Sequence, residues 1–198
     1  MLEMNKEEGF TGLEAAIVLI AFVVVAAVFS YVVLGAGFFT TQKSQEVIYT
    51  SVDQASSSVE ILGDVYGLAE DAADPHYIDV VRFTVGLTSG GSAVDFGSTT
   101  LTFSDSENVS KLNLQNVVAY ENADTIVNSG KWAVVLVKND DKTDLLLENQ
   151  EQFVIKANPI DDIGANEAFH LDLRPAVGTS YTIIRTAPAK INGVNTLY

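Results

Sequence analysis

The chain has 198 residues, a formal net charge of -15 at pH 7 and no cysteine. Without thiols, disulfides, a cysteine nucleophile and cysteine metal ligands are excluded. The acidic balance repels phosphate backbones, so nucleic acid is not an expected partner.

Hydrophobicity is unevenly spread. The stretch from Ala15 to Phe39 reads AAIVLIAFVVVAAVFSYVVLGAGFF. It carries no charge and no proline, and Ser30 is its only clearly polar side chain. Glu14 is the last charge before it and Lys43 the first after it. A run of about 18 or more apolar residues is long enough to cross the roughly 30 Å hydrocarbon core of a bilayer as a helix. A helix apolar on every face must be buried in lipid or in packed protein. The first nine residues, MLEMNKEEG, are short and hydrophilic. A secretory signal would be cut after its apolar region. Here the small residue, Gly9, comes before it, so a cut after Gly9 would keep the helix in the mature chain and leave Phe10 at its N-terminus.

The run from Gly9 to Phe22, GFTGLEAAIVLIAF, resembles the start of an archaeal flagellin precursor, and Gly37 to Ser44, GFFTTQKS, continues the likeness. The resemblance implies a leader of the class III type, residues 1–9, removed between Gly9 and Phe10 by a prepilin-type signal peptidase. It also implies kinship with type IV pilins, which share the Gly, Phe and fifth-position Glu pattern, and Glu14 falls on that position. Leaders of this kind are usually basic before the cut, whereas Lys6 is followed by Glu7 and Glu8. The segment from His170 to Gly178, with Tyr181 to Ile183, resembles the C-terminal portion of the same family. The resemblance implies an immunoglobulin-like sandwich on a filament exterior, a homopolymer held by its N-terminal helices, and a membrane assembly platform with an ATPase. The subunit would be held in the membrane before assembly and lie in an extracellular filament afterwards. Ile17, Leu19, Ile20, Phe22, Val25, Phe29, Val33 and Phe38 are then the expected assembly core. Glu14 would serve processing or assembly, pairing with a neighbour's new α-amino group or stabilising its own helix N-terminus.

Beyond Phe39 the helical pattern continues. Ile48, Val52, Ala55, Val59, Leu62 and Tyr66 recur at heptad-like spacing. One helix over residues 10–66 would be roughly 85 Å long, with Gly35 and Gly37 suited to a bend or to close helix packing. From Pro75 the period changes to two: Val81, Phe83, Val85 and Leu87 alternate with Arg82, Thr84 and Gly86. Further strands are expected at Ser92 to Phe96, Thr99 to Phe103, Leu112 to Tyr120, Trp132 to Lys138, Asp144 to Leu147, Gln152 to Ala157, Ala168 to Leu173 and Tyr181 to Thr186. Short strands with regular turns and no intervening helix predict an antiparallel β-sandwich or barrel. The expected fold is α+β, with residues 67–198 as the outer β domain. The tail from Ile191 to Tyr198 either closes the sheet or stays loose.

No catalytic motif or phosphate loop is visible, and His76 and His170 are the only histidines. Neither an enzyme nor a cofactor is expected. Asp140, Asp141 and Asp144 cluster near one turn, and Asp161 and Asp162 in another. The spacing matches no calcium loop, so these read first as solvated turns and only secondarily as cation ligands. Asn108-Val109-Ser110 is the one N-x-[ST] sequon, a candidate glycan site. The reading is a structural subunit of a swimming filament. The alternatives are an adhesive type IV pilin and a membrane-anchored binding domain.

Overall fold

The computed structural model describes residues 6–69, 75–115, 125–139 and 144–198. The chain divides into two compact units, residues 1–50 and 51–198.

The first unit is helical throughout its described part. Helix α1 spans Lys6–Ser56 and runs through Gly35 and Gly37 without interruption. At 1.5 Å per residue it is about 76 Å long. A β-carbon added at Gly35 or Gly37 would meet nothing within 4 Å. Within one chain, therefore, no contact requires these glycines.

The helix ends about a turn and a half after the first unit, at three consecutive serines, Ser56 to Ser58. Serine hydroxyls compete with the helical backbone and favour its ends. The last α-type bond runs from Ser57 N–H to the Asp53 carbonyl at 2.8 Å. The predicted helix to Tyr66 is therefore corrected. Val59, Leu62 and Tyr66 belong to the β unit, with Val59 opening strand β1 (Val59–Ile61) and Tyr66 opening β2 (Tyr66–Leu68). Val59 is buried and Glu60 exposed, which is a period of two. The heptad spacing was coincidental, because pairing with a distant strand overrode local helical pattern.

That distant strand is β3 (Val80–Leu87), which pairs with β1 and with β2. There follow β4 (Val94–Asp95), a 3-10 turn (Phe96–Ser98), β5 (Thr100–Ser104), β6 (Val109–Leu114), β7 (Lys131–Lys138), β8 (Leu146–Leu147), β9 (Gln152–Asn158), β10 (Ala168–Arg174), β11 (Tyr181–Thr186) and β12 (Val194–Thr196). The expected strand from Ser92 to Phe96 is this short β4 plus the turn. The one from Leu112 to Tyr120 begins earlier and ends at Leu114, and residues 116–120 lie outside the described residues. The C-terminal tail closes the sheet: β12 pairs with β2, and Tyr198 exchanges backbone bonds with Thr186.

The strands follow the order β11-β10-β5-β6-β7-β9-β3-β2-β12, with β1 also on β3 and a separate β4-β8 pair. Strand β6 makes the path into two layers. Its residues Val109 to Leu112 pair antiparallel with β5, while Asn113 and Leu114 pair parallel with β7. A strand that changes sheets makes the corner of a sandwich. Among the described residues this is the one parallel pairing, the other strand pairs being antiparallel. One buried cluster joins the layers, with Phe103, Leu171 and Ile183 from one and Phe83, Trp132 and Ile155 from the other. Phe96 fills its centre, edge-on to Phe153 at 5.3 Å and to Trp132 at 6.5 Å. Strand β7 is buried on both faces. Its other side, Ala133 and Val135, packs with Val127 and Val154.

Candidate assembly surface

Each residue expected in the assembly core lies on α1 and is open to solvent in the single chain. Ile17, Leu19, Ile20, Val25, Val33 and Phe38 are exposed, and Phe22 and Phe29 are 77% and 70% exposed. At about 100° per residue these positions point all around the axis, and Val18, Val23, Val24, Val28 and Val32 fill the remaining directions. The helix is long and apolar enough to cross a membrane, and none of its most apolar window is buried within the chain. An exposed apolar surface of this extent marks a contact with protein or lipid. At about 25 cal/mol per Å², hiding such a helix from water contributes tens of kcal/mol.

The surface extends further than the apolar run suggests. Val47, Ile48, Tyr49 and Val52 are also exposed. Between the two apolar stretches the hydroxyls are already satisfied. Thr40 Oγ1 donates to the Ala36 carbonyl at 2.8 Å, Thr41 Oγ1 to Gly37 at 3.0 Å, Ser44 Oγ to Thr40 at 2.9 Å and Thr50 Oγ1 to Glu46 at 2.8 Å. Lys43 pairs with Glu46 at 2.7 Å. Covering these hydroxyls would therefore orphan none of them. The recurrence of Ile48 and Val52 at heptad-like spacing was the sequence signal for this stretch.

Three of the remaining candidates lie on the same helix. Gly9 and Phe10 fall on the backbone of α1, and Glu14 is exposed on the same helix. Asn108 is exposed in the β5–β6 turn, where its N–H donates to Asp105 Oδ1 at 2.7 Å and its Nδ2 to Asp161 Oδ2 at 3.2 Å. Asp144 accepts the Leu146 N–H at 3.0 Å and so shapes its own turn. Asp140 and Asp141 lie outside the described residues.

These features define a class: a β-sandwich carrying an apolar helix that its own chain leaves uncovered, built to bury that helix elsewhere. Comparison with known proteins specifies it. The family described as archaeal-type flagellin matches residues 9–185. The chain is 37% identical over 202 residues to probable flagellin 1 of Archaeoglobus fulgidus, covering 98% of this chain and 97% of that one. Its structure is similar to a chain of the archaeal flagellum of Methanospirillum hungatei strain JF1, with a TM-score of 0.67 and 33% identity over 94% of this chain and 98% of that one. Flagellin FlaB1 of Methanocaldococcus jannaschii shares the fold at a TM-score of 0.60 and 18% identity, over 70% of this chain and 95% of that one. The chain belongs to the archaeal-type flagellin family. It is a structural, non-enzymatic subunit of the archaeal flagellar filament, a motility appendage on the cell exterior.

Proposed function

We propose that the precursor is cut between Gly9 and Phe10 by a prepilin-type peptidase, and that the retained helix polymerises the subunit. The observation that supports this is the helix itself: apolar on every side and uncovered by its own chain. Before assembly, residues 15–39 hold the subunit in the membrane, where about 37 Å of helix suffices to span the hydrocarbon core. Afterwards the helices of many copies bundle into the filament core, with Ile17, Leu19, Ile20, Phe22, Val25, Phe29, Val33 and Phe38 packed between them. The β unit forms the exterior, with Asn108 as its glycan acceptor.

Exchanging lipid for protein changes apolar burial little, because lipid tails are as apolar as the partner helices. Extraction therefore draws on close packing and on an ATP-driven platform in the membrane. Gly35 and Gly37 suit that packing, since small residues let helix backbones approach. Glu14 is costly to bury alone. It pairs with the α-amino group that cleavage creates on a neighbour's Phe10.

Peptide sequencing of native filaments tests the processing step. The expected start is Phe10-Thr11-Gly12, and a start at Met1 or Leu2 overturns it. Gly9→Val should leave the leader attached and abolish filaments; normal filaments would remove the peptidase from the scheme.

A further inference from the structure

The turn that leads into β12 holds the chain's one Asn-Gly pair, Asn192-Gly193. Asn192 is exposed, whereas Asn195, three residues on, is 4% exposed. A buried amide needs partners, and this one takes both backbone groups of Asn192. Asn195 Oδ1 accepts the Asn192 N–H at 2.8 Å, and Asn195 Nδ2 donates to the Asn192 carbonyl at 2.6 Å. A longer bond runs from the same Nδ2 to the Gly67 carbonyl on β2 at 3.4 Å. The next carbonyl, that of Gly193, accepts the Ala69 N–H at 3.1 Å.

Asparagine is a thermolabile residue. It is least shielded before glycine, which sets no β-carbon beside the following nitrogen. The reaction open to this pair needs only water. The Gly193 amide nitrogen attacks Asn192 Cγ. A C–N bond forms, the bond from Cγ to Nδ2 breaks, and ammonia leaves with the proton of the Gly193 nitrogen. Water then opens the cyclic imide at either carbonyl. One opening gives aspartate. The other gives isoaspartate, in which the main chain runs through the former side chain.

Ring closure swings the peptide between Asn192 and Gly193 toward the side chain. Asn195 holds that peptide by its carbonyl, and Ala69 holds the next one. We propose that Asn192 is a site of spontaneous deamidation and that Asn195 holds it shut in the folded chain. Reaction then proceeds from local opening of the turn, at a rate set by how often the turn opens.

Its place gives the reaction a consequence. Strand β12 pairs with β2, Leu197 N–H donates to the Val65 carbonyl at 2.9 Å, and Tyr198 exchanges backbone bonds with Thr186. An isoaspartate lengthens the main chain by a methylene carbon just before this strand, and it adds a carboxylate to an acidic chain. The clamp at Asn195 fits a backbone of normal spacing, so the tail that closes the sheet loosens once the reaction has occurred. The device belongs to the β unit alone and operates whether or not α1 polymerises the chain.

The test uses the full-length chain dispersed in detergent, where no neighbouring subunit covers the turn. The chain is kept warm at mildly alkaline pH and mapped by peptide mass spectrometry. Asn192 should convert at least about tenfold more slowly in the folded chain than in denaturant, because folding withholds the open turn. Asn195→Ala should bring the folded rate close to the denatured one. Asn195→Asp, which keeps the acceptor and loses the donor, should fall between. Buried emission from the single tryptophan, Trp132, checks that each variant is folded. Asn128, whose N–H is held by Gln115 Oε1 at 3.0 Å, should keep its wild-type rate in both variants. Equal conversion of Asn192 in the folded and denatured chain, or an unchanged rate in Asn195→Ala, would overturn the clamp. No conversion of Asn192 in denaturant would overturn the site.

Discussion

The α-carbon of Gly178 sits so close to the carbonyl oxygen of Ser57 that a β-carbon there would overlap it. Gly178 also has φ at +110°, outside what side chains with a β-carbon readily adopt. Thr179 N–H donates to the same Ser57 carbonyl at 3.1 Å, and Thr88 N–H to the Ser58 carbonyl at 3.1 Å. The helix exit is thus gripped by backbone groups from the β10–β11 and β3–β4 connections. Gly178→Ala should destabilise the β unit by at least about 2 kcal/mol, since strain and overlap add. Thermal unfolding of a fragment covering residues 51–198 should show its midpoint lowered by roughly 4–8 °C.

That fragment should fold without the rest of α1, because its buried cluster draws on the β unit alone. Trp132 is 1% exposed and is the chain's single tryptophan. The fragment should therefore show blue-shifted emission that resists an aqueous quencher, and unfolding should shift it red. Solvent-like emission under native conditions would mean that the sandwich depends on the helix.

Phe96 is the aromatic on which both neighbours lean. It is fully buried between Trp132 and Phe153. Phe96→Ala should cost about 3–5 kcal/mol through the lost contacts and the cavity left behind. Chemical denaturation of the fragment gives the value directly, and Phe96→Leu should lose markedly less.

On α1 the effects should fall on assembly, not on the β fold. Phe22→Asp sets a charge where only lipid or partner helices can cover the chain. Filaments should be absent by electron microscopy, with Trp132 emission unchanged.

Thr41→Val separates two accounts of the polar half of the helix. The hydroxyl of Thr41 is spent on the Gly37 carbonyl at 3.0 Å. If this stretch is buried in the filament, the isosteric change should leave filaments intact or slightly more heat-stable, and Thr41→Asp should disrupt them. Equal filaments from both variants would place the stretch in solvent.

Much of this was legible in order along the chain. The absence of charge from Ala15 to Phe39 dictated an apolar helix needing outside cover, because no face of it could meet water. Alternation at Val81, Phe83 and Val85 dictated a half-buried strand, and Ala168 to Leu173 likewise, because side chains alternate across a sheet. What the chain could not state alone was decided by contacts between distant segments. Val59 and Tyr66 fit a helical seam by spacing, and became strands because β3 offered their backbones partners. Strand β6 changes layers midway, between Leu112 and Asn113, since its two neighbours come from opposite sides of the sandwich. Arg82 and Lys138 lie far apart in sequence and line one surface groove because β9 pairs with β3 on one side and β7 on the other. Local pattern records what each residue must hide, and pairing across the fold determines against what it is hidden.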